Sequence, residues 1–442
     1  MSHFGILSFP ATGHLHPLTA LARELLRRHH TVTVFQVADV QHLIDGTGLR
    51  FHQIGELDFP PGTLQVLNER LSRLHGPEAM EFVFERIHRN AKIVLRDAPM
   101  RIRAEGVDAV IVDQAEFAGG SVAEYLGLPF VTAILTLPLD LHPSFRFCGL
   151  QSGMVDGVRS ASQAASSFRL GRVQASILGL INRHREEWGL QPKSGLYACD
   201  SEVAQIAQLP ASFDFPDRTT VSQFHYTGPF IDRAGRKEIS FPWSRLDSSR
   251  PLVFVSMGTL QNGTEWVFRE VAKACAEFPV QTVISLGGGL SSEVFRDLPG
   301  DPIVVDYAPQ LELLNRADLT IFHGGLNTAL ECLAHGVPMI AIPITFDQPD
   351  VGVRIVRTGT GRVIPIGHLT AERLRVEMLE VLTNTKYRTA VEFLQKQAFA
   401  LSGVQQAADI IERVLEYQLS PTTPQFCDSI VGQLRTHPVA NL

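Results

Sequence analysis

Between residues 307 and 348 the chain carries an ordered set of residues suited to gripping an anion and a sugar. An apolar run at 319–322 leads into His323-Gly324-Gly325-Leu326-Asn327-Thr328-Ala329-Leu330-Glu331, then Gly336-Val337-Pro338, then Asp347-Gln348. The spacing predicts a strand, a glycine bend and a helix from about 326 to 335. The unpaired N–H groups of such a helix's first turn, at the positive end of its dipole, form an anion site. Gly324 and Gly325 let the backbone come close, and His323, Asn327 and Thr328 add side-chain donors at the same end. A diphosphate fits this description even in an acidic protein. Glu331 lies one turn further on, where a carboxylate accepts from ribose hydroxyls. Asp347 and Gln348 follow the next strand, a carboxylate beside an amide, suited to reading sugar hydroxyls at the carboxyl edge of a sheet. Taken singly, Asn, Thr and Gly at a helix start are also ordinary caps. The ordered set is what points to a ligand.

A second constellation sits at the other end of the chain. Gly13-His14-Leu15-His16-Pro17 follows an apolar strand-like run at 3–9, and Asp113 ends another at 107–112. An alcohol is a poor nucleophile until its proton leaves, so transfer to a hydroxyl needs a base. A neutral imidazole titrates near neutrality, and it works best when a carboxylate orients its second nitrogen and stabilises the imidazolium. His14 with Asp113 answers that description. His16 is the competing base, and a structural or capping role for His14 is the plain alternative.

These residues must be held by something, and the pattern says what. An apolar run at 3–9, a Gly/Pro/His turn at 10–17, helical spacing at 18–28 and a β-branched run at 31–37 open a doubly wound parallel sheet. Runs at 107–112 and 129–134 around a helix at 120–126 repeat the unit. Residues 141–185 are rich in Ser, Gly and Ala, with Phe145, Phe147 and Phe168 interleaved, and read as helices and loops lining an apolar acceptor cleft. After a polar stretch at 232–250 the alternation restarts, with strands at 252–256, 280–286, 303–306, 319–322, 339–342 and 360–364. Helical spacing returns at 265–276, 371–382, 390–401 and 404–419. The reading is α/β throughout: an N-terminal Rossmann-like domain over 1–231, a linker over 232–250, a C-terminal Rossmann-like domain over 251–403, a helix at 404–420 and a tail at 421–442. Gly287-Gly288-Gly289 reads as a phosphate loop or a flexible turn. His29 and His30, at a helix end, and Trp188, Trp243 and Trp266 read as structural.

Composition removes other classes. The 442 residues are 45% apolar and 19% charged, enough for two cored domains. Lys and Arg number 39 against 46 Asp and Glu, a net charge of −7 without a basic stripe, which argues against nucleic acid. Five cysteines, none in a CxxC pair, suggest neither a zinc site nor a disulfide framework, and fit a reducing cytoplasm. No signal peptide is evident at the start, and no uncharged stretch is long enough to span a bilayer, which leaves only peripheral membrane contact open. A monomer or weak dimer is expected. There is no GxxxxGK[ST] loop, GxGxxG, GxSxG or HExxH. There is also no Asp-x-Asp pair to hold a metal-bound nucleotide, so a diphosphate is expected to be bound without metal or other cofactor.

The segment from 307 to 348 resembles the donor-binding signature of the UDP-dependent glycosyltransferases, an inverting family with the GT-B fold. In plant secondary-product members that signature runs from Trp-x-Pro-Gln through His-x-Gly-x-Asn-[Ser/Thr]-x-x-Glu to [Asp/Glu]-Gln. Here it opens on Tyr307-Ala308-Pro309-Gln310, and from His323 to Gln348 the spacing matches without a gap. The strand and turn ending in Gly258-Thr259 are similar too, as is the Gly-His turn at His14, and the start and length resemble bacterial zeaxanthin and macrolide glycosyltransferases. The resemblance implies that Tyr307 stacks on uracil in place of Trp and that Ala308 pairs with the base through its backbone. It implies that Gln310 and Glu331 hold the ribose, a preference for UDP over dTDP. His323, Gly325, Asn327 and Thr328, closed over by Gly258 and Thr259, would hold the diphosphate, and Asp347 and Gln348 the hexose, glucose by resemblance. The expected function is inverting transfer of a hexose from a UDP-sugar to a hydroxyl of a small lipophilic acceptor. His14 would act as base, assisted by Asp113, and the helix at 404–420 would cross back to the first domain. Two other readings share the fold. One is a UDP-N-acetylglucosamine 2-epimerase, which leaves the His14 turn unexplained. The other is a non-catalytic nucleotide-sugar-binding partner, which would be expected to have lost the base.

Overall fold

The computed structural model describes residues 1–138, 161–216, 218, 220–398 and 402–419. Phe145, Phe147, the tail at 421–442 and the side chain of Phe168 lie outside the described residues, and so do Cys148 and Cys427.

The first half runs β1 (His3–Leu7), α1 (Thr12–Arg27), β2 (Thr31–Gln36), β3 (Arg50–Gln53), α2 (Thr63–Leu71), α3 (Gly76–Glu105), β4 (Ala109–Asp113), α4 (Gly119–Leu126), β5 (Phe130–Ile134), α5 (Ala161–Glu187), β6 (Gln205–Ala207) and β7 (Phe224–Tyr226). Its strands form one parallel sheet in the order β3-β2-β1-β4-β5-β6-β7. Strands such as Ala109-Val110-Ile111-Val112 are buried on both faces, as helix-covered parallel sheets require.

The second half runs β8 (Leu252–Ser256), α6 (Glu265–Cys275), β9 (Gln281–Ser285), β10 (Ile303–Val305), α7 (Gln310–Leu314), β11 (Leu319–Phe322), α8 (Leu326–Ala334), β12 (Met339–Ala341), α9 (Gln348–Arg357), β13 (Gly361–Val363), α10 (Ala371–Thr383), α11 (Thr385–Ala398) and α12 (Gly403–Leu419). Its sheet is also parallel, in the order β10-β9-β8-β11-β12-β13. The two sheets therefore share a strand order over six strands, although no sequence repeat announces it. In each, the order reverses between the first and fourth strands, the place beyond whose strand ends doubly wound folds generally bind their ligands.

The first turn of α1 corrects the sequence expectation. Residues 12–17 are helical, not an irregular turn, so His14 stands on the helix and Pro17 lies inside it. β1 stops at Leu7 because the next two residues turn to serve Asp113, as described below.

Helix α12 docks on the first half. Val404, Ala407, Ala408, Ile411 and Leu415 join the same apolar core as β1 and α1. Arg28 Nη1 donates to Asp409 and Glu412, both at 2.6 Å, and Arg28 Nη2 donates to the Gln405 carbonyl. His30 Nε2 meets Glu412 at 2.9 Å, which gives His30 a structural place. Trp188 stacks on Tyr125 and Trp243 packs against Phe241, whereas Trp266 is 45% exposed. Cys199, Cys275 and Cys332 are buried free thiols. Among the described residues no helix is long and apolar enough to cross a membrane.

Candidate active site

The register of the first sheet builds one wall. Leu7 pairs with Val112, so Ser8, just past β1, lies beside Asp113, the last residue of β4. Asp113, 1% exposed, accepts from Ser8 Oγ at 3.0 Å, from the Phe9 N–H at 3.0 Å and from the Ala115 N–H at 3.0 Å. Its Oδ2 also meets His14 Nδ1 at 2.9 Å. That bond puts the imidazole proton on Nδ1 and leaves Nε2 without a protein partner among the described residues, the arrangement of a general base. The Phe9 ring packs edge-on against His14 at 5.5 Å.

The electrostatics of the pair follow from burial and charge. Burial alone lowers the His14 pKa, but the field and hydrogen bond of Asp113, with Asp347 adding, raise it above the ordinary histidine value. Burial pushes the Asp113 carboxyl up, yet His14 and the surrounding N–H groups hold it below the ordinary aspartate value. Beneath the pair lies Glu116, 1% exposed, whose carboxylate accepts from Asn90 Nδ2 and from the Ala118 N–H. Burial, with the Asp113 charge adding, pushes Glu116 up to about 8. Of the two buried carboxyls, Asp113 is the one held below its ordinary value beside His14. His16 makes no such pair. Burial and the charge of Arg236 lower it to about 4.

The second sheet builds the facing wall. Phe322 pairs with Ser256, so His323 emerges level with Met257 and beside Gly258. Gly325 is the N-cap of α8, and the His323 ring is slotted between two glycines. A Cβ on Gly258 would come within 2.7 Å of that ring, and one on Gly325 within 2.4 Å. Gly258 also takes the left-handed backbone, φ +74°, which favours glycine. Burial lowers His323 to about 4, and its Nδ1 is buried without a hydrogen-bond partner. A neutral ring with an unused nitrogen, at the start of a helix, suits an anion's oxygen.

Around this start lie the remaining residues singled out from sequence. Thr328 is buried and Thr259 exposed. Gln310 Nε2 donates to Glu331 Oε2 at 2.5 Å and to Thr328 Oγ1 at 3.4 Å. Tyr307 is 54% exposed, with its hydroxyl packed on Gly288, and Ala308 is half-buried next to it. The Gly287–Gly289 bend is a fixed turn: Asn262 Nδ2 donates to the carbonyls of Gly258, Leu286 and Gly287. The Gln348 carboxamide faces its own loop, its oxygen accepting from the N–H groups of Ile344 and Thr345. Asp347 is half-buried, its pKa raised by desolvation, and it accepts from the Leu137 N–H of the first half at 3.1 Å. Before it, Phe346 has φ +60°, a strained setting for a bulky residue, worth about 1–3 kcal/mol.

The two walls touch. Asn327 Nδ2 donates to the Gly13 carbonyl at 2.6 Å, and its Oδ1 accepts from Gln208 Nε2 at 2.7 Å. Thr345 Oγ1 accepts from the Gly76 N–H, and Gln261 donates to the Leu74 carbonyl. The stretch between the sheets joins in: Asp232 accepts from Arg23 of α1 at 2.8 Å, and Arg236 pairs with Glu331. Gln208, Arg236, Glu116 and Leu137 were not singled out from sequence. Each sits in or beside an irregular segment, where no periodicity or motif marks it.

A family model described as UDP-glucoronosyl and UDP-glucosyl transferase matches residues 198–397. Zeaxanthin glucosyltransferase of Pantoea ananas is 34% identical over 422 residues, covering 94% of this chain and 96% of the relative. The chain belongs to the UDP-glycosyltransferase family. Demethyllactenocin mycarosyltransferase of Streptomyces fradiae is 33% identical over 423 residues, with 94% and 87% covered. Among solved structures, the glycotransferase of kitacinnamycin superposes with a TM-score of 0.74 at 22% identity, over 94% of this chain and 99% of that one. CalG4, the calicheamicin glycosyltransferase, gives 0.71 at 20%, over 95% and 100%. The fold is GT-B, and the protein is a glycosyltransferase enzyme.

Proposed function

We propose that this glycosyltransferase moves a hexose, glucose in the first instance, from a UDP-sugar to a hydroxyl of a small lipophilic acceptor in one displacement with inversion. The observation that carries the reading is the His14–Asp113 pair, with His14 Nε2 unpartnered among the described residues and His14 on a helix bonded directly to the α8 start. Nε2 takes the acceptor's proton as its oxygen attacks the anomeric carbon, and Asp113 stabilises the imidazolium. The leaving diphosphate gathers charge at the α8 N-terminus, where the N–H groups, the neutral His323 and Thr328 receive it. Gly258 and Thr259 close the opposite side. No metal is required, because the helix end supplies the positive potential.

Tyr307 and the Ala308 backbone hold the base, Gln310 and Glu331 the ribose, and Asp347 and Gln348 the sugar. The carboxylate of Glu331 favours a 2′-hydroxyl and hence UDP. A solved neighbour, VinC, was obtained with dTDP, so the nucleotide preference is worth measuring directly. The names of the relatives, a zeaxanthin and a demethyllactenocin transferase, support a lipophilic acceptor.

The test is UDP release from UDP-glucose with and without a panel of lipophilic alcohols and phenols, with a chelator in a parallel series. Acceptor-dependent release, a β-linked product from the α-linked donor and indifference to chelator are expected. Sugar isomerisation without acceptor would replace this reading with the epimerase, and UDP binding without turnover would replace it with a non-catalytic binder.

A further inference from the structure

Gln208 touches neither His14 nor Asp113, yet it is 2% exposed and spends its amide at the junction of the two walls. Resting on the donor-site reading above, we propose that Gln208 is a positioning residue. It fixes the orientation of the Asn327 amide, and through Asn327 it registers the helix bearing His14 against the diphosphate site.

Two backbone carbonyls decide every orientation in this chain of bonds. The Leu135 carbonyl can only accept, so the nitrogen of Gln208 must face it, at 2.5 Å. The same nitrogen then donates to Asn327 Oδ1 at 2.7 Å. The Gly13 carbonyl can likewise only accept, so the nitrogen of Asn327 must face it, at 2.6 Å. The two requirements agree. A turned-over Asn327 would set oxygen against the Gly13 carbonyl and nitrogen against nitrogen at Gln208.

The Gly13 carbonyl is available because of Pro17. In α1 its partner four residues on would be the N–H of residue 17, and proline has none. Gly13 precedes His14, so the bond from Asn327 reaches the backbone of the base helix one peptide away from the base. The Asn327 amide has a second N–H, which has no protein partner among the described residues and lies at the first turn of α8, where a phosphate oxygen would sit. One side chain thus ties the leaving group to the base helix, and Gln208 determines which way round it stands.

The test is a double-mutant cycle on kcat with UDP-glucose and a turned-over acceptor, using Gln208→Leu, which keeps the bulk but cannot donate, and Asn327→Ala. Loss of a buried hydrogen bond of this kind predicts a fall of about tenfold for Gln208→Leu, and no further fall when Asn327 is already Ala. Pro17→Ala, which returns a competing N–H to the Gly13 carbonyl, gives a smaller fall of about two- to fivefold by the same argument, again absent in the Asn327→Ala background. It covers the case in which Gln208→Leu does not fold. Undiminished kcat in the single variants, or losses that multiply in the Asn327→Ala background as a general packing defect would, overturns the proposal. UDP affinity separates this from failure of the donor site itself. If Asn327→Ala and Glu331→Ala bind UDP as the parent does, the donor-site reading is wrong whatever Gln208 does.

Discussion

Asp113 and His323 occupy equivalent places in the two sheets, one residue beyond the register of the central strand pair at the reversal of strand order. What surrounds them is opposite. Asp113 is ionised and faces an imidazole, so His14 rises above its ordinary pKa. His323 faces glycines and meets no carboxylate, so burial lowers it to about 4. Under the proposed mechanism one topology serves two chemistries: the first sheet places the His14–Asp113 pair to move a proton, and the second places a neutral, backbone-rich edge to hold an anion. The lesson is that the crevice is supplied by strand order, and its chemistry by the one or two residues placed at the strand ends.

The sharpest way to break this comparison is to remove the charged pair. His14→Ala should lower kcat by about 10²–10⁴-fold, the usual worth of a general base, while UDP affinity measured by calorimetry stays within about twofold, since the base makes no contact with the nucleotide in this reading. Asp113→Asn should cost less, about 10–10²-fold for a misoriented base, and it should move the pH profile. With Asp113 present the acid limb of kcat/KM lies above pH 6.5, because a raised His14 pKa keeps the base protonated to higher pH. Without that carboxylate, burial is opposed by the smaller Asp347 contribution and the limb moves to lower pH. A limb that stays put means another group titrates.

On the anion side, Glu331→Ala should weaken UDP binding by about tenfold, the worth of one or two hydrogen bonds to a charged group, and leave acceptor KM unchanged. The effect should be smaller for dTDP, which lacks the 2′-hydroxyl. Equal losses for both nucleotides would take the ribose role from Glu331. The smallest effect is expected away from both edges. Arg28→Ala unfastens α12 and should cost about 1 kcal/mol of stability, as exposed ion-pair networks do, seen as a lower Tm with kcat unchanged.

Much of this was legible before any coordinates. The motif from His323 to Glu331 is contiguous, so its strand, bend and helix are dictated locally, and α8 begins at Leu326 as the glycine pair suggests. His14 and Asp113 are far apart in the chain, but both end or follow strongly apolar strands, and parallel pairing brings them together. Glycine, histidine and proline are poor helix formers, so the first turn of α1 has no helical signal in the sequence. The turn forms because its earliest N–H groups need no intrahelical partner, and the carbonyl freed by Pro17 finds one in Asn327. The thirty-residue α3 has its signal in Ile87, Ala91, Val94, Ala98 and Ile102, which follow helical spacing, and in Gly106, which caps it in the left-handed conformation. Its buried Asn90 donates to Glu116, beneath the His14–Asp113 pair. Gln208 and Arg236 were invisible for a different reason. Their partners, Asn327 and Glu331, are 119 and 95 residues away, and only packing of the two halves brings them together.

The central claim is that the glycine-led start of α8 holds the nucleotide's diphosphate while His14 faces the sugar. A crystal structure with UDP bound tests it most directly. The account predicts the β-phosphate within hydrogen-bonding distance of the Asn327 and Thr328 N–H groups and of His323, the ribose at Glu331, and His14 Nε2 open towards the position of the departing sugar. UDP seated elsewhere, or at α8 with its ribose rather than its diphosphate against the helix start, would contradict it.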